Sequence, residues 1–196
     1  MSKKILSTII TIGVIGILIF WMAGQYNAMV TEQENVETSW GQVENQYQRR
    51  MDLIPNLVAV VKGYATHEKE TLEGVIEARA KATQITVNAD DLTEEQLAKF
   101  QAAQGELSQA LGRLMAVAEA YPDLKANENF RDLQTQLEGT ENRIAVARNT
   151  FNEQARVYNT LIRKFPNNIV ASIFGFKKKP YFEADEEAKH APKVEF

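Results

Sequence analysis

An uncharged run of 19 residues near the N-terminus constrains this chain more than any other feature. The run is ILSTIITIGVIGILIFWMA, from Ile5 to Ala23. As an α-helix rising 1.5 Å per residue it would be roughly 28 Å long, close to the ~30 Å hydrocarbon thickness of a bilayer. The sequence therefore predicts a membrane anchor over residues 5–24, with Ile5 and Phe20 in its apolar part. Trp21 suits the membrane–water interface, where aromatic rings prefer to lie.

The charges on either side of this run predict its orientation. Lys3 and Lys4 precede it, whereas no Lys or Arg follows it until Arg49. The positive-inside rule then places residues 1–4 in the cytoplasm and the chain after Gly24 outside it. The predicted localisation is a single pass through the cell (inner) membrane. A cleaved signal peptide is the alternative, but the apolar run is longer than a usual signal core and WMAGQ is a poor cleavage site.

Beyond the anchor, apolar residues recur at alternating spacings of three and four. They form two rows, one of Met29, Val36, Val43, Leu57 and Tyr64 and one of Tyr26, Trp40, Tyr47, Ile54 and Val61. Such a 3.5-residue repeat is typical of one long helix with a continuous packing seam. Gln33 and Arg50 interrupt the seam. Pro55 lies within it, and because the register persists across the proline, a kink is favoured over a new helix.

Four helices are predicted after the anchor, over about residues 25–65, 66–85, 93–120 and 127–165. Thr93 and Gln96 have capping-box spacing before the third helix, and Asn127 is expected to cap the fourth. No segment alternates with a period of two, so strands are not expected. One-sided seams and short connections most simply give an antiparallel bundle. Residues 167–183, apolar and then basic, are expected to pack on this bundle, and residues 184–196 to form a mobile tail.

The predicted fold class is therefore all-α. It comprises an N-terminal transmembrane helix followed by an antiparallel, up-and-down four-helix bundle with long, coiled-coil-like helices. The stretch YPDLKAN is expected to be a turn between the last two helices, because Pro122 cannot continue the preceding helix.

Composition removes several classes of function. The chain has no cysteine, which excludes disulfide frameworks, thiolate zinc sites and iron–sulfur clusters. Its net charge is −4, with both signs interspersed, so no cationic face for nucleic acid is expected. No Gly-rich phosphate loop or dinucleotide fingerprint is present either. No cofactor is predicted.

The stretch GYATHEKET begins like the zinc-protease motif H-E-x-x-H, but Thr71 stands where the second histidine ligand belongs. His67 and His190 are the two histidines of the chain; Tyr64 stands three residues before His67, and Glu187 three residues before His190. Glu-x-x-His therefore occurs once, whereas the di-iron bundle pattern needs it on two helices, so that pattern is not met. A Ser-His-Asp hydrolase would have to use His67, and no G-x-S-x-G accompanies it. The stretch is interpreted as a helix junction, with Thr66 as candidate cap. No metal site or catalytic residue is predicted.

Polar residues on the helices are the remaining candidate contact sites. Arg50 is expected to reach solvent or to pair with Glu73, Glu77 or Glu141, because an unpaired buried charge is costly. It is interpreted either as a register-setting residue or as a ligand or partner site. The second candidate set consists of Asn142, Asn149, Asn152 and Asn159. Asn is a weak helix former, so this stripe indicates bonding to another helix or a partner, with plain solvent exposure as the alternative.

Three stretches, taken together and in this order, resemble the LemA family. They are RRMDLIPNLVAVVKGYATHEKETLEGVIEARAKA, YPDLKANENFRDLQTQLEGTENRIAVARNTFNEQARVYNTLIRKFP and FGFKKKPYFE. The resemblance implies a bacterial-type, membrane-anchored four-helix bundle with an up-and-down arrangement, and it implies no reaction. By analogy, a shared surface would lie in residues 49–65, 121–130 and 141–159.

The leading functional hypothesis is a non-enzymatic, membrane-anchored helical bundle. It would act as an extracytoplasmic scaffold or adaptor for envelope proteins, with the lipid bilayer, other membrane or envelope proteins and further copies of itself as partners. The alternative is a membrane-linked sensor that binds a small ligand or ion between its helices, beside Arg50. Solid packing around Arg50 would oppose the sensor hypothesis, and a polar cavity would favour it. An enzyme ranks third.

Overall fold

A computed structural model describes residues 3–89 and 92–183 of the chain. Within these ranges 85% of the residues are helical and there is no strand, as the periodicity predicts. The helices there are α1 (Lys3–Tyr64), α2 (Lys69–Gln84), α3 (Glu94–Glu119), α4 (Pro122–Ala126), α5 (Glu128–Arg163) and α6 (Asn167–Phe174). The predicted tail, residues 184–196, lies outside the described residues, as do the first two residues of the predicted cytoplasmic N-terminus.

Helix α1 joins the apolar run to the rest of the protein without a break. It is 62 residues long, and neither Gly24 nor Pro55 interrupts it. Within the described residues it is the one helix long and apolar enough, by length and composition, to cross a membrane, and its most apolar stretch is not buried in the protein. The apolar run and the first packing seam are therefore parts of one helix.

Pro55 leaves a carbonyl of α1 to be satisfied from outside the helix. Proline has no N–H, so the carbonyl of Met51, four residues earlier, lacks its usual intrahelical donor. The Nε atom of Arg79 in α2 donates to that carbonyl oxygen at 3.0 Å. The proline thus leaves a carbonyl acceptor on α1 that forms a hydrogen bond with Arg79 of α2.

The predicted seam of α1 is buried almost throughout, and its two end residues, Tyr26 and Tyr64, are the exposed members. The closest helix pairs are α1 with α5 and α2 with α3. Buried apolar side chains form two clusters. We name them by their distance from the predicted membrane anchor. The membrane-proximal core includes Met29, Trp40, Phe100, Phe151 and Val170, and the membrane-distal core includes Ile54, Leu57, Val75, Leu107 and Leu114.

The ends of the later helices follow local sequence signals. The capping box of Thr93 and Gln96 is confirmed, and the Asn127 side chain accepts a hydrogen bond from the Phe130 N–H, as predicted. The predicted cap at Thr66 is wrong, because α2 starts at Lys69 after a turn in which Glu68 holds the N-cap position. At each of these helix ends, a polar side chain or a turn satisfies backbone groups that have no partner within the helix.

Two short helices were not expected from the periodicity. YPDLKAN contains α4, and Pro122 is its first residue, a position where the missing N–H costs nothing. Residues 167–174 form α6, which buries Val170 and Ala171 and ends at Gly175 with a φ of 77°. Both are too short for an apolar repeat to be recognised in the sequence.

Candidate functional site

Arg50 lies in the seam of α1, and its side chain is only 2% exposed. Its Nη1 atom donates to Glu141 Oε1 of α5 at 2.9 Å and to Ser108 Oγ of α3 at 2.9 Å. Its Nη2 atom donates to the side-chain oxygen of Gln104. Of the three carboxylates considered from the sequence, Glu141 is the partner, whereas Glu73 and Glu77 pair with lysines on their own helix, Lys69 and Lys81.

These contacts form a polar layer, which we define as Arg50, Gln104, Ser108 and Glu141. The layer lies between the two cores, since Tyr47 belongs to the membrane-proximal core and Met51 to the membrane-distal core. The Arg50 guanidinium carbon also lies 5.0 Å from the centre of the Tyr47 ring, a cation–π geometry. A buried cation is therefore held by one carboxylate, two neutral side-chain oxygens and an aromatic face.

Gln104 and Ser108 were missed from the sequence. The signal was present, because Gln104 occupies the gap between Leu97 and Leu111 in the α3 row, one heptad from each. A polar residue in that gap matches the polar Arg50 in the row of α1. Comparing the polar gaps in the apolar rows of different helices would have paired Gln104 with Arg50.

A cleft of about 410 Å³ opens on the polar layer. Its other polar lining comes from Gln101, Gln109 and Arg148. The buried Nε atom of Arg50 has no hydrogen-bond partner within the described part of the chain. The volume falls in the range of small-molecule sites, and guanidinium and amide N–H groups are donors suited to an anion. The surroundings of Arg50 are thus an open polar cleft rather than a solidly packed interior.

Two of the four candidate asparagines bind the main chain of the C-terminal segment, which we define as residues 177–183. Asn159 donates from Nδ2 to the Lys179 carbonyl at 2.8 Å and accepts the Lys179 N–H at 2.9 Å. Asn152 makes the same pair of bonds with Phe182, at 3.0 and 2.8 Å. Asn152 and Asn159 are seven helical residues apart, a rise of about 10.5 Å, and Lys179 and Phe182 are three extended residues apart, about 10 Å. The spacing of the two asparagines therefore matches the spacing of the two residues that they bind.

The C-terminal segment also fills an aromatic pocket. Phe182 stacks on Trp40 with ring centroids 5.8 Å apart and meets Phe151 edge-on at 5.5 Å. The next carbonyl, that of Glu183, accepts hydrogen bonds from Arg148 at 2.8 Å and from Gln101 at 3.3 Å. Because Arg148 and Gln101 also line the cleft at Arg50, Glu183 lies at the rim of that cleft.

The other residues singled out from the sequence lie apart from this site. Asn142 and Asn149 are exposed on α5, so the asparagine stripe divides into an exposed pair and a pair that binds the C-terminal segment. Ile5 and Phe20 are exposed on α1, whereas Trp21 is partly buried against the membrane-proximal core. His67 lies exposed in the turn between α1 and α2. Among the described residues no group of three or more His, Asp or Glu side chains could hold a metal ion.

Comparison with known proteins places the chain in a family. The family model described as "LemA family" matches residues 39–196. The chain belongs to the LemA family. The match includes the polar layer, the asparagines that bind the C-terminal segment and the segment itself, while the apolar run precedes it. The resemblance noted in three stretches of the sequence is thereby confirmed.

Three curated relatives are informative. The chain is 31% identical over 175 residues to "Magnetosome protein MamQ" of Magnetospirillum gryphiswaldense, covering 81% of this chain and 64% of that protein. "Magnetosome protein MamQ 1" of Paramagnetospirillum magneticum is also 31% identical, over 81% of this chain and 65% of its own length. "Protein LemA" of Metamycoplasma hominis is 25% identical over 88% and 75%. This LemA-family chain thus spans less than two thirds of the length of the two magnetosome relatives.

Proposed function

We propose that this LemA-family protein is a non-enzymatic, membrane-anchored scaffold or adaptor for other envelope proteins. In this proposal α1, α2, α3 and α5 form an up-and-down four-helix bundle outside the cytoplasm, and the N-terminus of α1 is cytoplasmic. The names of its relatives state no reaction, which is compatible with a role in binding. Self-association through the exposed faces of the bundle is part of the proposal.

The observation that carries this proposal is the continuity of α1. A helix that runs from the apolar segment to Tyr64 without a break holds the packed domain in a fixed position relative to that segment. Residues 24–64 add about 60 Å of helix beyond the apolar run. A rigid platform that begins at the apolar run and extends this far from it suits the positioning of other proteins.

Crosslinking in intact cells followed by mass measurement in mild detergent tests the proposal. We expect a reproducible set of crosslinked neighbours or a mass above that of one chain. Asn152→Ala disturbs the C-terminal segment, and Asn149→Ala, at an exposed position of the same helix α5, serves as its matched control. A lone monomer without reproducible neighbours would contradict the scaffold proposal.

Orientation is tested separately, and the cysteine-free sequence makes the test simple. Ile76 is 55% exposed on α2, next to Val75 of the membrane-distal core. Ile76→Cys should react with a membrane-impermeant maleimide in intact spheroplasts if the bundle lies outside the cytoplasm. Labelling that requires lysis would reverse the proposed orientation.

The polar cleft favours a second candidate, a sensor that binds a small anion beside Arg50. Arg148 supplies positive charge there, Glu141 offsets the charge of Arg50, and Gln101 and Gln109 supply neutral donors. Inorganic phosphate and succinate are suitable probes, and binding would raise the melting temperature of the detergent-solubilised protein by mass action. An equal response from Arg50→Met would locate any such binding elsewhere. No response to either probe would count against the sensor.

A further inference from the structure

The short helix α6 leaves an apolar surface uncovered. Within the described residues, most large exposed apolar side chains belong to the apolar run of α1, and the next group surrounds α6. Its members are Phe165 at 81%, Ile173 at 61%, and Ile169 and Phe174 at 51% each. A surface of this kind, built from four large side chains within ten positions of the sequence, normally meets another apolar phase.

The position of α6 along α1 indicates which phase that is. The Phe174 ring lies 4.8 Å from the ring of Tyr26, only three residues beyond the apolar run. Trp21 and Met22, inside that run, pack against the core to which Val170 and Ala171 of α6 belong. The helix therefore lies beside the last turn of the apolar run, at the height where a bilayer surface would be.

The charges near α6 complement an anionic surface. Between Gln154 and Phe182 the sequence has no acidic residue. Four basic side chains before and after α6 are exposed, those of Arg163, Lys164, Lys177 and Lys178. Glu34 and Glu94 line the neighbouring cleft beside Lys177 and Lys178 and offset part of this charge. Apolar side chains flanked by cations are the pattern of helices that lie in a lipid interface.

We propose that α6 and its flanking basic residues form a second membrane contact, which inserts Phe165, Ile169 and Ile173 into the interface of an anionic bilayer beside α1. This contact rests on the anchoring of α1 that the proposed function contains. It converts attachment through one helix into attachment at two places, and so fixes the tilt of the domain. The indole of Trp21 and the ring of Tyr26 then lie in the same interfacial layer as α6.

Site-specific fluorescence in vesicles tests this contact on the full chain. Single-cysteine variants Ile17→Cys, Ile173→Cys and Ile76→Cys place the same label in the apolar run, on α6 and beside the membrane-distal core. All three isoleucines are more than half exposed. Each labelled protein is reconstituted in phosphatidylcholine vesicles, with and without phosphatidylglycerol, and quenched either by nitroxide-bearing lipid or by aqueous iodide.

We expect the label at position 173 to be quenched by nitroxide lipid and shielded from iodide, with the position 76 label showing the reverse. Lys177→Gln combined with Lys178→Gln should reduce lipid quenching at position 173 most in vesicles that contain phosphatidylglycerol. Ile169→Cys is the substitute if Ile173→Cys fails to melt like the parent protein.

The remaining outcomes separate the two proposals. Lipid quenching at position 17 with aqueous behaviour at position 173 overturns the second contact and leaves the anchor intact. Aqueous behaviour at both positions overturns the anchor as well. A label at position 173 that is shielded from lipid and iodide alike would show that a second copy of the chain covers α6, and would also overturn the membrane contact.

Discussion

At the scale of single residues, Arg50 and Glu141 are unequal partners. The arginine is buried, whereas the glutamate side chain is 42% exposed. Removing the glutamate leaves a buried cation without its counter-charge. Removing the arginine leaves a carboxylate that water can still solvate. The energetic consequence of breaking this pair therefore depends on which partner is lost.

Glu141→Gln should lower the free energy of unfolding by about 1–3 kcal/mol, because Arg50 loses its counter-charge. The double change Arg50→Met with Gln104→Leu should be neutral or stabilising, since an apolar layer replaces the polar one. Urea denaturation in mild detergent, with Asn149→Ala as a surface control, measures both. A double variant less stable than Glu141→Gln would refute this account.

Burial raises the pKa of Tyr158 to about 12, and the charge of Glu37 adds to the effect. The phenol is an acid whose neutral form the folded state prefers, so its stabilising contribution is complete below the unfolded pKa of about 10. That contribution, about 2–3 kcal/mol, is lost as the pH rises from about 10 to 12.

Unfolding free energies measured across this alkaline range check the prediction. Tyr158→Phe should show a shallower decline than the parent protein, because the group that ionises is absent. Parallel declines in the two proteins would assign the alkaline loss of stability to other groups.

At the scale of elements, Pro55 and Arg79 should be energetically coupled. Arg79→Met should destabilise the protein by about 1–2 kcal/mol, since the Met51 carbonyl then has no donor. In a Pro55→Ala background the alanine N–H restores the intrahelical bond, so the same change should cost less. A double-mutant cycle on thermal unfolding gives the coupling, and a coupling near zero would mean that the Arg79 bond contributes nothing specific.

A second prediction at this scale concerns the C-terminal segment and the asparagines that bind it. Asn159→Ala should destabilise the docked segment by about 1–3 kcal/mol, because it removes both hydrogen bonds to the buried Lys179 main chain. Hydrogen exchange at the Lys179 amide should accelerate, whereas Asn149→Ala should stay within about 0.5 kcal/mol of the parent protein. Unchanged protection at Lys179 would show that the Asn159 bonds do not hold the segment.

Long elements were predictable from the sequence, and short ones were not. The seam of α1 follows the heptad rows because burial along a long helix repeats with the helical period. By contrast, α4 and α6 are only 5 and 8 residues long and depend on Pro122 or Pro166 and on local packing. The binding of the C-terminal segment was visible only as a stripe of asparagines, since a sequence pattern does not say which chain segment a side chain binds.

At the scale of the whole molecule, the polar site was half predictable. Arg50 stood out because it interrupts an apolar row, and Glu141 was among its three candidate partners. The choice of Glu141, and the addition of Gln104 and Ser108, depend on how α1, α3 and α5 align along their axes. That alignment is set by packing between the helices, so it does not follow from the sequence of any single helix.

The polar layer also has a consequence for how the protein loses its structure. Because it interrupts the apolar contacts, the two cores are joined mainly by the continuous backbones of α1, α3 and α5, with Ile85 packing against both cores. Regions with separate cores tend to open as separate cooperative units. The end of the helical domain farthest from the apolar run can therefore open and close as a sub-global unit while the end beside α6 keeps its native structure.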